Sequence, residues 1–451
     1  MLRIDAAPNQ SNFLVAFGGD QRWYRDDLLA QVMGLRLAIR RLPQENFVIC
    51  CDNSYWFCCA LLAAWCEQRT VFMPANSKPS TLDSIIDPEE TGLISDHIID
   101  NFSSLIASEI EPVANYESIH IADAKVYLFT SGSSGTPKRI TKNLRQLTAE
   151  LDDLAKVFGE FIRNSAFLAT VSHQHIYGLL FRVLLPLSLR CPFGAEFHEY
   201  PETLVAATAT LEKLSVERAV WVSSPAHLKR MPELVDLTAI GDKLALVFSS
   251  GGPLSLDAAT RFYQAANQDI HEVLGSTETG GVAYRIQRQS NLWQRFPSVE
   301  IKSDDRDALL VRSPFLETAH FQALGNRVEL VDDQHFHLHE RIDRIVKVEE
   351  KRLSLPELER RLQKHPAVQE CAALVIEGKR ATVCVVAQLS AKGQALLEQQ
   401  GKRQVTETLR HHLESFYETV LLPKKWRFVD TLPYNAQGKL PVAQLSALFQ
   451  S

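Results

Sequence analysis

The sequence lacks the features that direct a protein to nucleic acid, to a membrane or out of the cell. Its 48 Lys and Arg are outnumbered by 54 Asp and Glu, so the net charge of -6 gives no general attraction for nucleic acid or anionic lipid. The N-terminus has no apolar signal core, and the most apolar stretch, residues 176–189, is interrupted by Arg182 and too short to span a bilayer. We therefore expect a soluble, cytoplasmic enzyme that neither binds nucleic acid nor inserts into a membrane.

The sequence also lacks a Cys-x-x-Cys pair and any group of cysteine and histidine residues at metal-binding spacing. Cys51, Cys58 and Cys59 lie in or beside an apolar run, which favours buried thiols in a reducing compartment over disulfides or a zinc site. The length of 451 residues, 45% of them hydrophobic, is sufficient for two or three domains that each have a core.

Hydrophobic spacing predicts alternating helices and strands in the first part of the chain. Helices are predicted between Trp23 and Leu42 and at 58–65, and short strands at 46–51 and 70–74. This alternation indicates a layered α/β domain. Near the C-terminus, a helix start at Ser354–Glu357 precedes two strands, a second helix and a third strand, which predicts a small α+β module.

Residues 126–139 form a strand-to-loop transition that is suited to binding phosphate. Gly132 and Gly135 allow the backbone to approach an anion, and Lys138 adds a positive charge. Hydroxyl donors are supplied by Thr130, Ser131, Ser133, Ser134 and Thr136. A plain Ser/Gly turn is the alternative, but this many hydroxyl groups beside a lysine favour a phosphate loop. Its glycines are too close together for a Walker A loop, which argues against a kinase or GTPase.

The loop resembles the phosphate-binding motif of the adenylate-forming superfamily, which includes acyl-CoA synthetases, aryl-CoA ligases, peptide-synthetase adenylation domains and luciferases. The chain matches Thr-Ser-Gly-(Ser/Thr)-(Ser/Thr)-Gly-x-Pro-Lys from Thr130 to Lys138, and Arg139 replaces the final glycine. The resemblance implies that this loop binds the β- and γ-phosphates of ATP. It also implies an α/β fold: a large ATP- and acyl-binding domain of layered sheets and helices, 1–341, and a small mobile C-terminal α+β domain, 342–451, that carries the catalytic lysine.

Two further segments resemble superfamily motifs in the same order along the chain. Phe167–Gly178 matches a segment ending in His-x-aromatic-Gly, which implies that His175 and Tyr177 line the acyl pocket. A histidine beside apolar residues is, however, more often a hydrogen-bonded core residue. Gly251 and Gly252 match the adenine-binding loop, although Gly-Gly-Pro also suits a plain turn.

The segment Val273–Gly281 resembles the superfamily motif Tyr-Gly-x-Thr-Glu. The match implies that Thr277 contacts the α-phosphate and that Glu278 binds Mg²⁺. One carboxylate suits a magnesium ion that is held mainly by substrate phosphates. Leu274 replaces the tyrosine of the motif, so an aromatic ring that often stacks on adenine in relatives is missing here.

The C-terminal part resembles the hinge and closing motifs of the superfamily. In Glu340–Ser354, Arg341 would contact the ribose and Asp343 would be the hinge residue, although alternating charged and apolar residues also suit a strand edge. Residues 432–440 resemble the closing Leu-Pro-x-x-x-x-Gly-Lys motif. By that match Lys439 would bridge the substrate carboxylate and the α-phosphate.

Three departures from the superfamily pattern lie in this part of the chain. Asn326 stands where an aspartate binds both ribose hydroxyls, so weaker or altered nucleotide binding is expected. Glu340 replaces the glycine before the hinge arginine, and Glu350 replaces a glycine that lines the pantetheine channel. Adenylation is therefore better supported than thioester formation.

The resemblance implies an AMP-forming acid–thiol ligase that uses ATP and Mg²⁺ to convert a carboxylic acid to an acyl-adenylate. The acyl group would then pass to the thiol of CoA or of phosphopantetheine on an acyl carrier protein. The compact length and divergent hinge resemble ligases of aryl-polyene or pigment gene clusters, which favours an aromatic or unsaturated acid. The alternative is a nucleotide-binding homologue with lost or adenylation-only activity. The joint presence of Lys138, Glu278 and Lys439 favours the ligase, since a binding module needs no such set.

Overall fold

The computed structural model describes residues 2–4, 11–74, 76–87, 89–130, 138–341, 344–348, 351–376, 381–435 and 440–450. Of these, the backbone alone is described at residues 2, 80, 130, 340, 341, 345, 347, 351 and 352. The chain divides into two units. The first comprises the described residues of Met1–Gly132, Pro137–Ile301 and Val311–Gln322, and the second those of Lys302–Leu310 and Ala323–Ser451. The domain boundary predicted after residue 341 stays a prediction.

Most helices of the described chain belong to the first unit. The α-helices, labelled α1 to α12, are Arg25–Ile39, Ser54–Cys66, Pro79–Asp83, Leu144–Ile162, Ile176–Gly178, Leu185–Leu189, Pro201–Ala209, Pro225–Leu234, Leu256–Ala266, Leu355–Gln363, Ala391–Glu414 and Val442–Ala447. A π-helix, Leu179–Leu184, joins α5 to α6. Helix α1 confirms the helix predicted between Trp23 and Leu42.

Strands are distributed over both units, and their bounds follow in chain order. Strands β1 to β14 are Leu2–Ile4, Leu14–Gly18, Gln21–Tyr24, Asn46–Cys50, Thr70–Met73, Thr91–Ser95, Leu105–Ile106, Ile119–Ile121, Lys125–Thr130, Lys138–Asn143, Ser165–Ala169, Phe193–Gly194, Arg218–Ser223 and Leu244–Ser249. Strands β15 to β26 are Ile270–Ser276, Gly280–Arg285, Trp293–Arg295, Glu300–Ser303, Ala308–Arg312, Gln322–Leu330, His335–Arg341, Ile345–Val348, Lys351–Ser354, Val368–Ile376, Thr382–Leu389 and Lys425–Val429.

Two sheets form the framework of the first unit. In one the strand order is β10-β9-β5-β4-β6-β7, with parallel pairing except between β9 and β10. In the other, β17-β16-β15-β14-β13-β11-β12-β2-β3 are neighbours, and the pairing is parallel from β15 through to β2. Parallel strands connected by helices are typical of α/β proteins. The layered α/β architecture predicted from the sequence is confirmed.

Helix α2 is buried on nearly every side, as expected for an apolar helix that packs between layers. It begins at Ser54, earlier than the predicted start at residue 58. The cause is Asn53, whose side chain accepts hydrogen bonds from the backbone amides of Tyr55 and Trp56 and so caps the first turn.

Helix α4 has an apolar stripe that packs in the core and a second buried line that is polar. The apolar residues are Leu144, Leu147, Leu151, Leu154 and Phe158, and the polar ones are Gln146, Glu150 and Asp153. Its cap is Asn143, which forms a capping box with Gln146. Thr141, two residues earlier, is also a residue type that suits a cap, but it does not cap this helix because it pairs with Tyr127 inside β10.

The second unit contains the three-stranded sheet β24-β25-β26, on which helices pack. Its core includes Leu358 and Leu362 of α10, Leu409 of α11 and Trp426 of β26. Ser354 caps α10, as predicted, by accepting a hydrogen bond from the backbone amide of Glu357. Its elements thus confirm the small α+β module predicted at this end of the chain.

All eight cysteines are free thiols, and seven of them are buried. Burial is the main reason that the pKa of Cys50 rises to about 12 and that of Cys58 to about 12, so both remain protonated near neutral pH. The described part of the chain contains no helix with the length and apolarity needed to cross a bilayer.

Candidate active site

The predicted phosphate loop connects two antiparallel strands of the first unit. Strand β9 ends at Thr130 and β10 begins at Lys138, and these two residues are paired across the strands. The strand predicted at the start of residues 126–139 is therefore confirmed as β9. The loop residues Ser131, Gly132, Ser133, Ser134 and Gly135 lie outside the described residues, and Thr130 is described by its backbone only. Their phosphate-binding role stays a prediction.

Lys138 lies next to Glu278, which is 140 residues further along the chain. Its Nζ is 3.3 Å from Glu278 Oε1, with the lysine side chain 61% exposed and the glutamate side chain 30% exposed. Burial alone would raise the pKa of Glu278, but hydrogen bonds from its own backbone amide, Lys138 and Ser276 outweigh it and lower the pKa. The structure thus brings together Lys138, which the resemblance assigns to the ATP phosphates, and Glu278, which it assigns to Mg²⁺.

Glu278 and Thr277 lie in the turn Ser276–Gly281, which connects β15 to β16. Inside this turn, the Thr279 amide donates to Ser276 Oγ at 3.1 Å and the Ser276 amide donates to Thr279 Oγ1 at 3.2 Å. Gly280 has a φ of +69°, a backbone conformation that favours glycine. The internal bonds close the turn and leave Thr277 and Glu278 half-buried at its tip.

Two buried charged residues form hydrogen bonds to the backbone of this turn. Neither was predicted from the sequence. Lys142 Nζ donates to the carbonyl oxygens of Glu278 at 2.9 Å and Phe315 at 2.8 Å. Glu150 Oε1 accepts a 2.6 Å hydrogen bond from the Gly281 amide. Burial lowers the pKa of Lys142 and raises that of Glu150. A sequence signal existed for Glu150, because it falls between apolar residues of α4 at helical spacing and so had to be buried.

The residues predicted to line the acyl pocket lie at the start of α5. Tyr177 donates its hydroxyl to the Ser223 carbonyl at 3.1 Å, and its ring is 4.9 Å from that of Phe181. Burial raises the pKa of Tyr177 well above its usual value, so the hydroxyl stays protonated. His175 is the half-buried residue immediately before α5. Their acyl-binding roles stay predictions.

His173, two residues earlier, is the histidine that the core encloses. Its Nδ1 is 3.0 Å from Ser54 Oγ, and its Nε2 is 2.8 Å from the Cys51 carbonyl oxygen. Burial lowers the pKa of His173 well below its usual value, so the ring is neutral. Gly178 is also structural, since a Cβ there would be 2.0 Å from the Ser172 carbonyl oxygen.

The predicted adenine loop follows strand β14. Gly251 has a φ of +91°, and both Gly251 and Gly252 are exposed, so their backbone is accessible to a planar base. Ser250 Oγ donates to the Val273 carbonyl at 2.8 Å, which attaches the loop to β15. The role of these glycines in nucleotide binding stays a prediction.

The predicted ribose residues lie in the second unit, on strands β20 and β21. Asn326 is paired with Arg341, and its Nδ2 donates to the His339 carbonyl at 3.4 Å. Arg341 is described by its backbone only, and Asp343 and Lys439 lie outside the described residues. The structure therefore brings Asn326 and Arg341 into adjacent strands, and their ribose-binding roles stay predictions.

Two family models match this chain. The AMP-binding enzyme model matches residues 15–311, and the model of the AMP-binding enzyme C-terminal domain matches residues 357–439. The chain belongs to the AMP-binding enzyme family. The superfamily recognised from the sequence motifs is confirmed, and so is its chemistry: this AMP-binding enzyme is an ATP-dependent ligase that activates a carboxylic acid.

Several curated relatives of this AMP-binding enzyme are CoA ligases. A 4-coumarate–CoA ligase of Halorhodospira halophila is 27% identical over 321 residues, which cover 69% of this chain and 73% of the relative. A malonate–CoA ligase of Arabidopsis thaliana is 23% identical over 383 residues, which cover 73% of this chain and 61% of the relative.

Solved structures show the same fold at low sequence identity. The o-succinylbenzoate CoA synthetase MenE of Bacillus subtilis, in complex with its acyl-adenylate intermediate, has a TM-score of 0.76 at 16% identity, covering 96% of this chain and 95% of that chain. The amide bond synthetase McbA of Marinactinospora thermotolerans has a TM-score of 0.73 at 17% identity, covering 97% of both chains.

The donor set of the AMP-binding enzyme fits a magnesium ion that is held mainly by nucleotide. Within the described residues, no group of three or more His, Cys, Asp or Glu side chains could hold a metal ion by itself. Glu278 offers one ionised, partly exposed carboxylate, and Mg²⁺ commonly takes one or two carboxylates and fills its shell with phosphate oxygens and water. Magnesium held between Glu278 and the phosphates would neutralise phosphate charge.

Proposed function

We propose that this AMP-binding enzyme activates an aromatic or unsaturated carboxylic acid and transfers it to the thiol of CoA or of carrier-protein phosphopantetheine. In the first step a carboxylate oxygen attacks the α-phosphorus of ATP, a new O–P bond forms, and the bond from the α-phosphorus to the oxygen that bridges to the β-phosphate breaks, which releases pyrophosphate. In the second step the thiol sulfur attacks the acyl carbon, its proton is lost to solvent, and AMP leaves with the electron pair.

The observation that carries the proposal is the contact between Lys138 and Glu278. Phosphoryl transfer depends on neutralising charge and aligning the reacting oxygens, and little covalent help from the protein is needed. Lys138 begins the strand that follows the phosphate loop, and Glu278 lies at the tip of a braced turn, 3.3 Å away. We assign Lys138 to the β- and γ-phosphates, Thr277 to the α-phosphate, Glu278 to Mg²⁺ and Lys439 to the transferring carboxylate.

Preference for an aromatic acid is supported by the surroundings of Tyr177. Its hydroxyl donates to the Ser223 carbonyl, and the sequence resemblance assigns its ring to the acyl pocket. The rings of Phe181 and Phe248, which lie 4.8 Å apart by centroids, are buried in the core beside Tyr177 and support it there. An aromatic ring in the acyl pocket suits a planar acid such as a hydroxybenzoate or hydroxycinnamate, the type used in aryl-polyene biosynthesis. The free, buried cysteines support a cytoplasmic location.

The experiment compares a panel of acids with each of the two thiol acceptors. The full chain is incubated with ATP, Mg²⁺ and hydroxybenzoate, 4-coumarate, malonate or a fatty acid, together with CoA or a phosphopantetheinylated carrier protein. We expect AMP and an acyl thioester with the aromatic acids. AMP formation with malonate or fatty acids alone would contradict the acid class, and binding of ATP without turnover of any acid would instead favour a nucleotide-binding homologue.

Glu350 provides a second test, which concerns the thioester step alone. Because a carboxylate at this position would obstruct the thiol channel, we expect Glu350→Gly to raise the yield of thioester relative to acyl-adenylate. Both products are measured by mass spectrometry in the same reaction. Glu349→Gly, one residue earlier, is the matched control, and an unchanged product ratio in Glu350→Gly would show that Glu350 does not obstruct the thiol.

A further inference from the structure

The turn that carries Glu278 is contacted by two buried charged residues to which the proposed reaction gives no task. We propose that Lys142 and Glu150 are positioning residues, which fix the turn Ser276–Gly281 so that the enzyme binds Mg²⁺ together with nucleotide. The proposal rests on the role assigned above to Glu278. Lys142 is 2% exposed and Glu150 is 4% exposed, so neither side chain is on the surface that a substrate would reach from solution.

Lys142 acts from the same strand that begins with Lys138. Residues four apart in a strand share a face, so both lysines of β10 point toward the turn. Lys138 reaches the carboxylate of Glu278, and Lys142 reaches the carbonyl oxygen of that same residue at 2.9 Å. Glu278 is therefore held at its backbone by one lysine while the other contacts its side chain.

Glu150 holds the other end of the turn from helix α4. It accepts the hydrogen bond of the Gly281 amide at 2.6 Å, three residues beyond the carbonyl that Lys142 binds. A Cβ on Gly280 would lie 2.6 Å from Glu150 Oε2, so this close approach requires glycine. Two fixed points, one on each side of Thr279, determine where the tip of the turn and its carboxylate lie.

These contacts also connect the turn to a neighbouring segment. Lys142 donates a second hydrogen bond to the Phe315 carbonyl at 2.8 Å, and the Gln146 side chain donates to that same carbonyl at 3.1 Å. Buried charges are costly to desolvate, and well-packed apolar residues often give equal or greater stability. A buried lysine that binds two specific carbonyl oxygens is therefore better explained by the geometry it imposes than by stability.

The test measures metal-dependent nucleotide binding in Lys142→Met and Glu150→Leu. Each variant removes one contact to the turn and preserves side-chain size. Substitution of residues that orient a metal ligand typically lowers metal affinity by about 10- to 100-fold. We therefore expect the Mg²⁺ concentration that gives half-maximal binding of ATP, measured by calorimetry, to rise by about that factor. At saturating Mg²⁺ the binding of ATP returns toward that of the wild type.

Two control substitutions in α4 separate the contacts to the turn from general effects of mutation. Lys156 is 63% exposed, so Lys156→Met changes the same chemical group without reaching the turn. Glu150→Gln keeps an oxygen that can accept from the Gly281 amide, and we expect it to bind close to the wild type. An unaltered Mg²⁺ dependence in folded Lys142→Met, or an equal change in Lys156→Met, would overturn the proposal.

Hydrogen exchange provides a measurement that needs neither catalytic turnover nor bound nucleotide. In the wild-type chain the Gly281 amide should exchange slowly, and in Glu150→Leu about tenfold faster or more, because a hydrogen bond to a charged group is lost. A Gly281 amide that is unprotected in the wild type would also overturn the proposal. Because calorimetry and exchange require no acid, the proposed function can fail in the acid panel while the positioning role of Lys142 and Glu150 holds, and the reverse.

Discussion

The turn Ser276–Gly281 and the strand pair β20–β21 are both predicted to bind parts of the nucleotide, but they are held in different ways. The turn is fixed by the buried side chains of Lys142 and Glu150. Asn326 on β20 is half-buried, and the hydrogen bond from its side chain to His339 is long, at 3.4 Å. Where the chain matches the superfamily motif, at Thr277 and Glu278, the backbone is braced from within. Where it departs, at Asn326, a substitution disturbs few buried contacts.

The largest effect is expected at the turn itself. Glu278→Gln removes the charge that we assign to Mg²⁺, and losing one electrostatic contact to a developing charge typically costs about 100- to 1000-fold in rate. We expect the rate of acid-dependent AMP formation to fall by that order. Glu317→Gln, at an exposed carboxylate, is the matched control. A less than tenfold loss in Glu278→Gln would contradict the assignment.

A second prediction concerns acid stability of the first unit. Burial is the main cause that lowers the pKa of His198 to about 4 and of His271 to about 4, and it also lowers that of His173. The unfolded chain binds more protons than the native chain between pH 6.5 and 4. The free energy of unfolding should therefore fall as the pH is lowered through this window, by about 1.4 kcal/mol per pH unit for each histidine.

Urea unfolding at pH 7, 6 and 5, followed by tryptophan fluorescence, measures this dependence. His271→Gln should reduce the slope by the contribution of one histidine, while His411→Gln, at an exposed histidine of α11, should leave it unchanged. Unfolding free energies that are equal at pH 7 and 5 would show that these rings remain accessible to protons in the native state.

The smallest effect is expected at the strand pair. Asn326→Asp restores a charged acceptor, and a charge-assisted hydrogen bond is about 1 kcal/mol stronger than a neutral one. The KM for ATP should therefore fall several-fold, with kcat nearly unchanged. Asn326→Ala should raise KM by a similar factor. An unchanged KM in both variants would show that Asn326 does not contact the ribose, and a loss as large as that in Glu278→Gln would remove the contrast between the two regions.

Much of the fold could be predicted from the sequence because local patterns were strong. Apolar periodicity predicted α1 and the strands β4, β5 and β9, since helical and strand spacing differ clearly. Cap positions were less predictable. Thr141 and Asn143 are both suitable cap residues, and only the pairing of β10 with β9 decides that the strand continues to Asn143.

The residues of the candidate site could be predicted as a set of motifs. The buried residues that hold them in place could not. The pair Lys138 and Glu278 could be assigned by resemblance, but their 3.3 Å contact depends on strands far apart in sequence. Lys142 was inconspicuous because a lysine four residues after Lys138 resembles an ordinary surface charge, and only the structure shows that it is buried and bound to two carbonyl oxygens. Contacts between distant segments leave no periodic signal.

The central claim is tested most directly by exchange of labelled pyrophosphate into ATP, which reports reversible adenylation without any thiol acceptor. The account predicts exchange in the wild-type chain that requires an aromatic or unsaturated acid and Mg²⁺, and its loss in Lys439→Ala. The mutation of Lys402→Ala, at an exposed lysine of the second unit, should have no effect. Absence of exchange with every acid of the panel, or exchange that persists in Lys439→Ala, would contradict the account.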